Sequence, residues 1–478
     1  MGSQRQRRWS DGGGGRGPLI LSVHAQERAT MRVALVSLQY RETTTGGGGV
    51  HVGKVAENLV ALGHRVTVLS IHTTGTLAAA GTLQDGDHPF SVEEREGVTL
   101  VRFLIEEGIQ GPYEGTKHEE LERIHQFCRV VRDWLVRRQG DFDVVHLHGH
   151  HLIPGWLARE LQPYPFVVVS TVHYLESTLV RATREGLIHY HISNADLVRM
   201  KQWEAMSRYA DGLVLISPGM VQDFIELLLE LRLDPATVMP PYRIISSGID
   251  GDSILPAEAV QARLASPPDR VEVVTFARLD PSKGIEYAIR AAAVAAQETS
   301  RPFRLTVAGI PLPEYMPILE AEAAKARAHV PVELIAFQRI FSPQERDQFL
   351  ARFHLYLFPS LREPFGITIV EAGARGLMVV STDAVGPRYI LGEDGGKTTD
   401  WGIIAPRGVM GKRTQDPGAH LAHNLGRALA YALEDWEGGL RRAMALRDHV
   451  EATYTWRKVT EAYLDLYRQG KRTVHEPL

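Results

Sequence analysis

The sequence predicts an α/β protein of two doubly wound domains, each a parallel sheet with helices on both faces. Short apolar runs alternate with segments of helical spacing, which is the pattern of parallel βαβ units. The alternation runs twice, with a looser stretch holding Pro256, Pro267 and Pro268 between the two passes. A chain of 478 residues with 44% hydrophobic content also exceeds one ordinary domain.

The first pass begins at Met31. Strands are expected at Val33 to Leu38, Arg65 to Ile71, Val98 to Leu104, Asp143 to Leu147, Phe166 to Val172 and Leu213 to Ser217. A helix is expected around Val52 to Leu62, after a glycine loop. Lys117 to Arg138 reads as a long helix, because Leu121, Ile124, Cys128, Val131 and Leu135 recur at three and four. Its basic residues (Arg123, Arg129, Arg132, Arg137, Arg138) read as a solvated face. The second pass gives strands at Val271 to Phe276, Arg304 to Ala308, Glu333 to Phe337, Leu355 to Phe358 and Met378 to Ser381, and a last helix at Trp456 to Arg468. The expected division is a disordered leader over 1–30, domains over 31–252 and 253–455, and a terminal helical segment over 456–478 that packs back on the first domain. The leader is alternatively upstream sequence before a start at Met31.

Composition narrows the function. A net charge of -4 gives no global basic field for nucleic acid or an anionic membrane. One cysteine, Cys128, excludes an intrachain disulfide and a multi-cysteine zinc site, and fits a cytoplasmic protein. No apolar run approaches a membrane span.

Four stretches carry candidate chemistry. Thr43 to Lys54 follows the first strand with four glycines, Gly46, Gly47, Gly48 and Gly49, suited to close backbone approach by a ligand. Its P-loop spacing fails at Val55, where Ser or Thr is needed, and the next strand ends without a ribose-binding acid. A plain flexible loop remains open for it. His146 to His151 reads as a polar loop at a sheet's carboxyl edge; no carboxylate in the run supports a metal, and none is expected. His173 directly follows the strand ending at Val172, with Glu176 close by. Arg278 and Lys283 flank a turn at a helix start, which suits a diphosphate, and a surface turn with two solvated cations is the bland reading.

The fifth stretch, Leu355 to Asp383, reads as strand, loop, helix, strand, with Glu363 and Glu371 on either side of Gly366, where the helix should begin. A helix start offers free N–H groups and a positive dipole end to a phosphate. On local pattern a βαβ unit with solvated glutamates describes the stretch equally well.

Taken together, these residues resemble the retaining glycosyltransferases of the GT-B fold, and most closely family 4, whose members include sucrose-phosphate-synthase-like, glycogen-synthase-like and mycothiol-pathway enzymes. The resemblance covers nearly the whole chain from Met31. It rests on the Glu363–Glu371 pair, on Gly46-Gly47 with Val50 and Val52, on Thr171, His173 and Leu175, on Ser217, Gly219 and Met220, and on Arg278 with Lys283. It implies two Rossmann-like domains facing across a cleft. It implies a nucleoside-diphosphate sugar as donor, no metal or other cofactor, and a small soluble acceptor such as a sugar phosphate or polyol. A growing glucan is the alternative acceptor; an epimerase and an inactive binding module are the alternative functions. By the resemblance, Arg278 and Lys283 neutralise the diphosphate, Gly366 and Ile367 offer it N–H groups, and Phe365 and Gly309 line the donor pocket. Glu371 holds the ribose, Glu363 the donor sugar, and His173 reaches the reacting centre from the other domain. The Gly46 to Gly49 loop lines the acceptor side. Departures fall at Ser247, Ala277, Leu377-Met378 and Ala384 to Ile390, and bear on donor identity more than on activity.

Overall fold

The computed structural model describes residues 30–44, 47–80, 88–149, 151–178, 180, 192–339, 341–392, 398–407 and 418–471. The leader before residue 30, Gly46 and residues 472–478 lie outside the described residues.

β1 (Arg32–Val36), β2 (Arg65–Ile71), β3 (Phe90–Arg95), β4 (Val98–Phe103), β5 (Val144–Gly149), β6 (Val167–Val172), β7 (Gly212–Leu215) and β8 (Tyr242–Ile244) form one sheet. Their spatial order is β3-β4-β2-β1-β5-β6-β7-β8. All neighbours run parallel except β3 and β4. β9 (Val271–Phe276), β10 (Phe303–Gly309), β11 (Val332–Ala336), β12 (Leu355–Phe358), β13 (Met378–Thr382) and β14 (Ile403–Ala405) form the second, wholly parallel sheet. Its order is β11-β10-β9-β12-β13-β14. In both sheets the order reverses beside the first strand, β1 or β9. Ligand clefts of open α/β sheets form at such a switch point, outside the carboxyl ends of the strands.

The helices that position the site are α1 (Gly47–Ala61), α2 (Lys117–Arg137), α3 (Pro218–Glu230), α4 (Ile285–Glu298), α5 (Pro343–Leu350), α6 (Ile367–Ala374), α7 (Val385–Leu391) and α8 (Trp456–Tyr467). Apolar spacing explains α2, whose Leu121, Ile124, Cys128, Val131 and Leu135 are all buried. Thr116 caps it and Glu119 closes a capping box. The expected solvated basic face needs correction at Arg123. That residue is buried, because Glu106 meets its guanidinium at 2.6 Å and Glu114 accepts from it at 2.8 Å.

The glycine run is also different from the expected loop. Gly47, Gly48 and Gly49 form the first turn of α1. A Cβ at Gly49 would stand 2.6 Å from Thr44 Oγ1, whereas one at Gly47 or Gly48 would meet nothing. Close packing therefore selects glycine at one position, and open space borders the other two.

Both sheets belong to one compact unit, Met31–Leu478. The chain leaves the first sheet at Gly248-Ile249 and returns at Thr455-Trp456, and the two crossings pair. Ile249 N–H donates to the Tyr454 carbonyl (2.7 Å), and Trp456 N–H to the Ile249 carbonyl (3.0 Å). α8 then packs on the first sheet's side, burying Trp456, Val459, Thr460, Tyr463, Leu464 and Tyr467 at three-and-four spacing.

Candidate active site

A cleft of about 800 Å³ separates the carboxyl ends of the two sheets. Its second-sheet wall is built by the turn after β9 and the loop after β12. Asp280 caps that turn by accepting from Ser282 N–H. Gly284, at φ +62°, then lets the chain enter α4 while passing close under the Pro359 carbonyl. This delivers Lys283 to Glu363, with Nζ 2.7 Å from Oε2. Gly366, at φ +99°, sets the start of α6, and both Gly366 and Ile367 face the cleft. Gly386 N–H of α7 donates to the Glu363 carbonyl (3.0 Å) and fixes the loop from behind. Arg278 also lines the cleft; 74% of its side chain is exposed, and its ion pair is Asp280 at 3.3 Å. Phe365 is buried in the same wall.

Glu371 stands in the first turns of α6 and is buried. Its Oε1 meets Arg346 of α5 at 2.8 Å. Burial raises its carboxyl to about 7, against the pull of Arg346. Gly309, expected in the donor pocket, has a packing role at the end of β10. A Cβ there would stand 1.6 Å from the Ala277 carbonyl, so only glycine lets the β9 turn lie this close.

The opposite wall comes from the first sheet. His173, Gly47 and Gly48 line it. His173 follows β6, as its N–H donates to the Gly149 carbonyl (3.0 Å). Burial pushes its imidazole down to about 4, so it is neutral at physiological pH.

The run expected to be a polar loop contributes otherwise. His146 and His148 lie within β5 and are buried, their ring centroids 3.9 Å apart. His148 Nδ1 reaches His173 Nε2 at 3.4 Å, and His51 of α1 sits edge-on to His173 at 4.9 Å. Burial holds the imidazoles of His51, His146 and His148 well below their ordinary pKa, so they are neutral, and the hydrogen bonds then set the tautomers of His146 and His51. Thr171 Oγ1 donates to Tyr463 Oη (3.2 Å). His146 Nε2–H therefore donates to Thr171 (2.8 Å), and its Nδ1 accepts from Tyr467 (2.6 Å). Tyr463 in turn donates to His51 Nε2 (3.0 Å), leaving His51 Nδ1–H for Ser247 Oγ (3.1 Å). The C-terminal helix thus supports the floor beneath His173.

The sequence reading missed two groups. Lys117 Nζ lies 2.8 Å from Glu120 and 2.5 Å from Glu176, which also meets His151 Nε2 at 3.0 Å. Glu120, His151 and Glu176 have the mutual spacing of a metal set, and the Lys117 ammonium bonds both carboxylates, offsetting one of their two negative charges. The other is Arg362, which spans the cleft to Asp223 of α3 (3.3 Å). No sequence signal links 362 to 223; only the folded domains bring them together.

Two Rossmann-like domains facing across a cleft lined by cations, a carboxylate and a helix start define the GT-B class of sugar-transferring enzymes. The chain belongs to family 4 of the glycosyltransferases: the family described as "Family 4 Glycosyltransferase in conflict systems" matches residues 47–462. Among curated relatives, the glycogen synthase of Mycobacterium tuberculosis is 27% identical, over 94% of this chain and 97% of that one. A D-inositol 3-phosphate glycosyltransferase of Streptomyces bingchenggensis is 26% identical, over 99% and 96%. Sucrose-phosphate synthase from Thermosynechococcus elongatus shares the fold, with a TM-score of 0.65 at 20% identity over 92% of this chain and 98% of that one. The protein is a glycosyltransferase. Among its described residues no helix is long and apolar enough to cross a membrane.

Proposed function

We propose that this glycosyltransferase moves a hexose from a nucleoside-diphosphate sugar to a small soluble acceptor, with retention of anomeric configuration and without a metal, in the cytoplasm. On this reading the domain over 253–455 holds the donor and the domain over 31–252 the acceptor. The observation that carries the reading is the Lys283–Glu363 pair beside the start of α6, with Arg278 exposed next to it and His173 across the cleft.

A diphosphate brings two negative charges, and breaking the sugar's C1–O bond adds charge to the departing oxygen. On this reading Arg278, Lys283 and the Gly366-Ile367 N–H groups meet that charge. In the step, the C1–O electron pair goes to the β-phosphate oxygen. The acceptor oxygen bonds C1 on the same face, and its proton passes to the departing phosphate. Glu363 accepts from hydroxyls of the sugar, and neutral His173 hydrogen-bonds it without adding a second positive charge to an oxocarbenium-like centre. Arg278 and Lys283 supply the positive charge that a metal ion supplies elsewhere.

Transfer assays with UDP-, GDP- and ADP-glucose test the reading, with the product anomer read by NMR. Lys283→Ala should keep the fold and lower kcat/KM by about 10²–10³. Wild-type turnover by that variant would sink the site assignment. Similarity to both a glycogen synthase and an inositol-phosphate enzyme keeps glucan elongation as the second reading. An acceptor panel of a sugar phosphate, an inositol phosphate and a glucan primer separates the two.

A further inference from the structure

Arg346 belongs to none of the stretches that first marked the site. It lies on α5, a helix fixed by Ser342, which accepts from Glu345 N–H while Glu345 returns the bond to Ser342 N–H. That cap aims Arg346 at α6, where Nη1 meets Glu371 Oε1 at 2.8 Å. The contact is end-on. Glu371 Oε2 and Arg346 Nε are both buried, and neither has a hydrogen-bond partner among the described residues. A bidentate pair would have used both carboxylate oxygens. This one leaves an acceptor oxygen over, on a side chain that a ligand's hydroxyl would need to find ionised.

We propose that Arg346 is a positioning residue for the donor site: it holds Glu371 as an aimed carboxylate, so that Oε2 accepts from the vicinal hydroxyls of the nucleoside's ribose. The inference rests on the donor reading above. The groups facing Glu371 are Arg346 and Asp347 from α5 and the Tyr356 phenol from β12. Tyr356 donates to the Phe276 carbonyl (2.7 Å) and is held neutral by burial. Asp347 works against ionisation, burial does so more strongly, and Arg346 is the cation opposing both. The carboxyl still rests near 7, so its charge depends on Arg346 staying in place. A neutral acid accepts hydroxyl protons far more weakly than a carboxylate.

The test is equilibrium binding of UDP-, GDP- and ADP-glucose across pH to the wild type, Arg346→Met, Arg346→Lys and Glu371→Gln. These donors carry a doubly esterified diphosphate, which lacks the second ionisation near pH ~6 of a terminal phosphate. Wild-type affinity should rise with pH through about 7. In Arg346→Met the rise should move up by about 1–3 pH units, the loss expected when an opposite charge within reach is removed. Arg346→Lys should return most of the shift. Glu371→Gln should flatten the profile, which separates Glu371 from Glu286, another carboxyl that burial raises to about 7. An Arg346→Met profile that keeps its inflection, or falls equally at every pH, overturns the inference and leaves the donor reading standing. A wild type that binds no nucleotide sugar overturns the donor reading, and this inference with it.

Discussion

Single ionisable side chains in this protein sit where burial disfavours their charged form. Glu204 is the clearest outside the cleft. It is buried, Ser177 N–H donates to one oxygen (3.2 Å), and the other has no partner among the described residues. Burial raises its carboxyl from 4.5 to about 8. A raised folded-state pKa means that the folded form binds the proton more tightly. The stabilisation is complete below the unfolded pKa and is lost as pH rises from about 4.5 to about 8. Glu204→Gln, which carries no charge, should lack this loss. Its stability relative to wild type should therefore improve across that window, by at most about 5 kcal/mol above pH 8. Denaturant unfolding at pH 4.5 and pH 8.5 measures the gap, and a gap independent of pH would refute the assignment. At this scale the sequence showed residue types but not their partners. Glu363, Arg278 and Lys283 stood out because turn residues and a helix start surround them. Nothing near Arg346 or Glu204 in the chain announces a buried carboxylate pair or an orphaned oxygen.

At the scale of elements, the sequence was legible wherever one principle acted alone. β2, β9 and β12 occupy the expected residues because their branched and aromatic runs are buried on both faces. β3 (FSVEER) was missed because an antiparallel edge strand buries only its first residues and shows its charges to water. β14 is three residues long, too short for a periodic signal. The glycine run was read as a loop from propensity, about 1 kcal/mol against helix per glycine. The helix α1 nonetheless begins there, and at Gly49 a Cβ would stand 2.6 Å from Thr44 Oγ1, so the close approach requires glycine at that position. Gly309 shows the same tension from the other side. Its missing side chain lets the Ala277 carbonyl approach, and the next residue after Ala277 is Arg278. Gly309→Ala forces β9 and β10 apart at their carboxyl ends. It should cost about 1–3 kcal/mol in stability and lower kcat/KM more than it lowers Tm-matched structural signals. Thermal unfolding and steady-state kinetics on the same preparation check both. An active, fully stable variant would mean that the turn carrying Arg278 has slack that the close contact denies.

Across the whole molecule, two sheets built from separate stretches of chain are joined, among the described residues, by paired crossings and by an ion pair over the cleft. The crossings at Ile249 and Trp456 bond to each other, so movement of one domain against the other must be absorbed where these two strands run side by side. Arg362 reaches over the opening from the Glu363 loop to Asp223 of α3, and also donates to the Thr178 carbonyl at 3.3 Å. Beside it, Gly219 at the start of α3 packs on Val385 of α7. Both ends of the ion pair are mostly shielded from water, yet the cleft beside them is open, so the pair is worth about 0.5–1 kcal/mol toward closure. By that figure, Arg362→Ala should shift the balance of closed to open forms by roughly two- to fivefold. Small-angle scattering without donor should show a larger radius of gyration, and kcat/KM should fall by a similar factor. Asp223→Ala should do the same, and the exchanged pair Arg362→Asp with Asp223→Arg should recover much of the loss. If the single variants scatter like the wild type, the domains are held by the paired crossings and the Gly219–Val385 contact, and the ion pair has no part in closing the cleft.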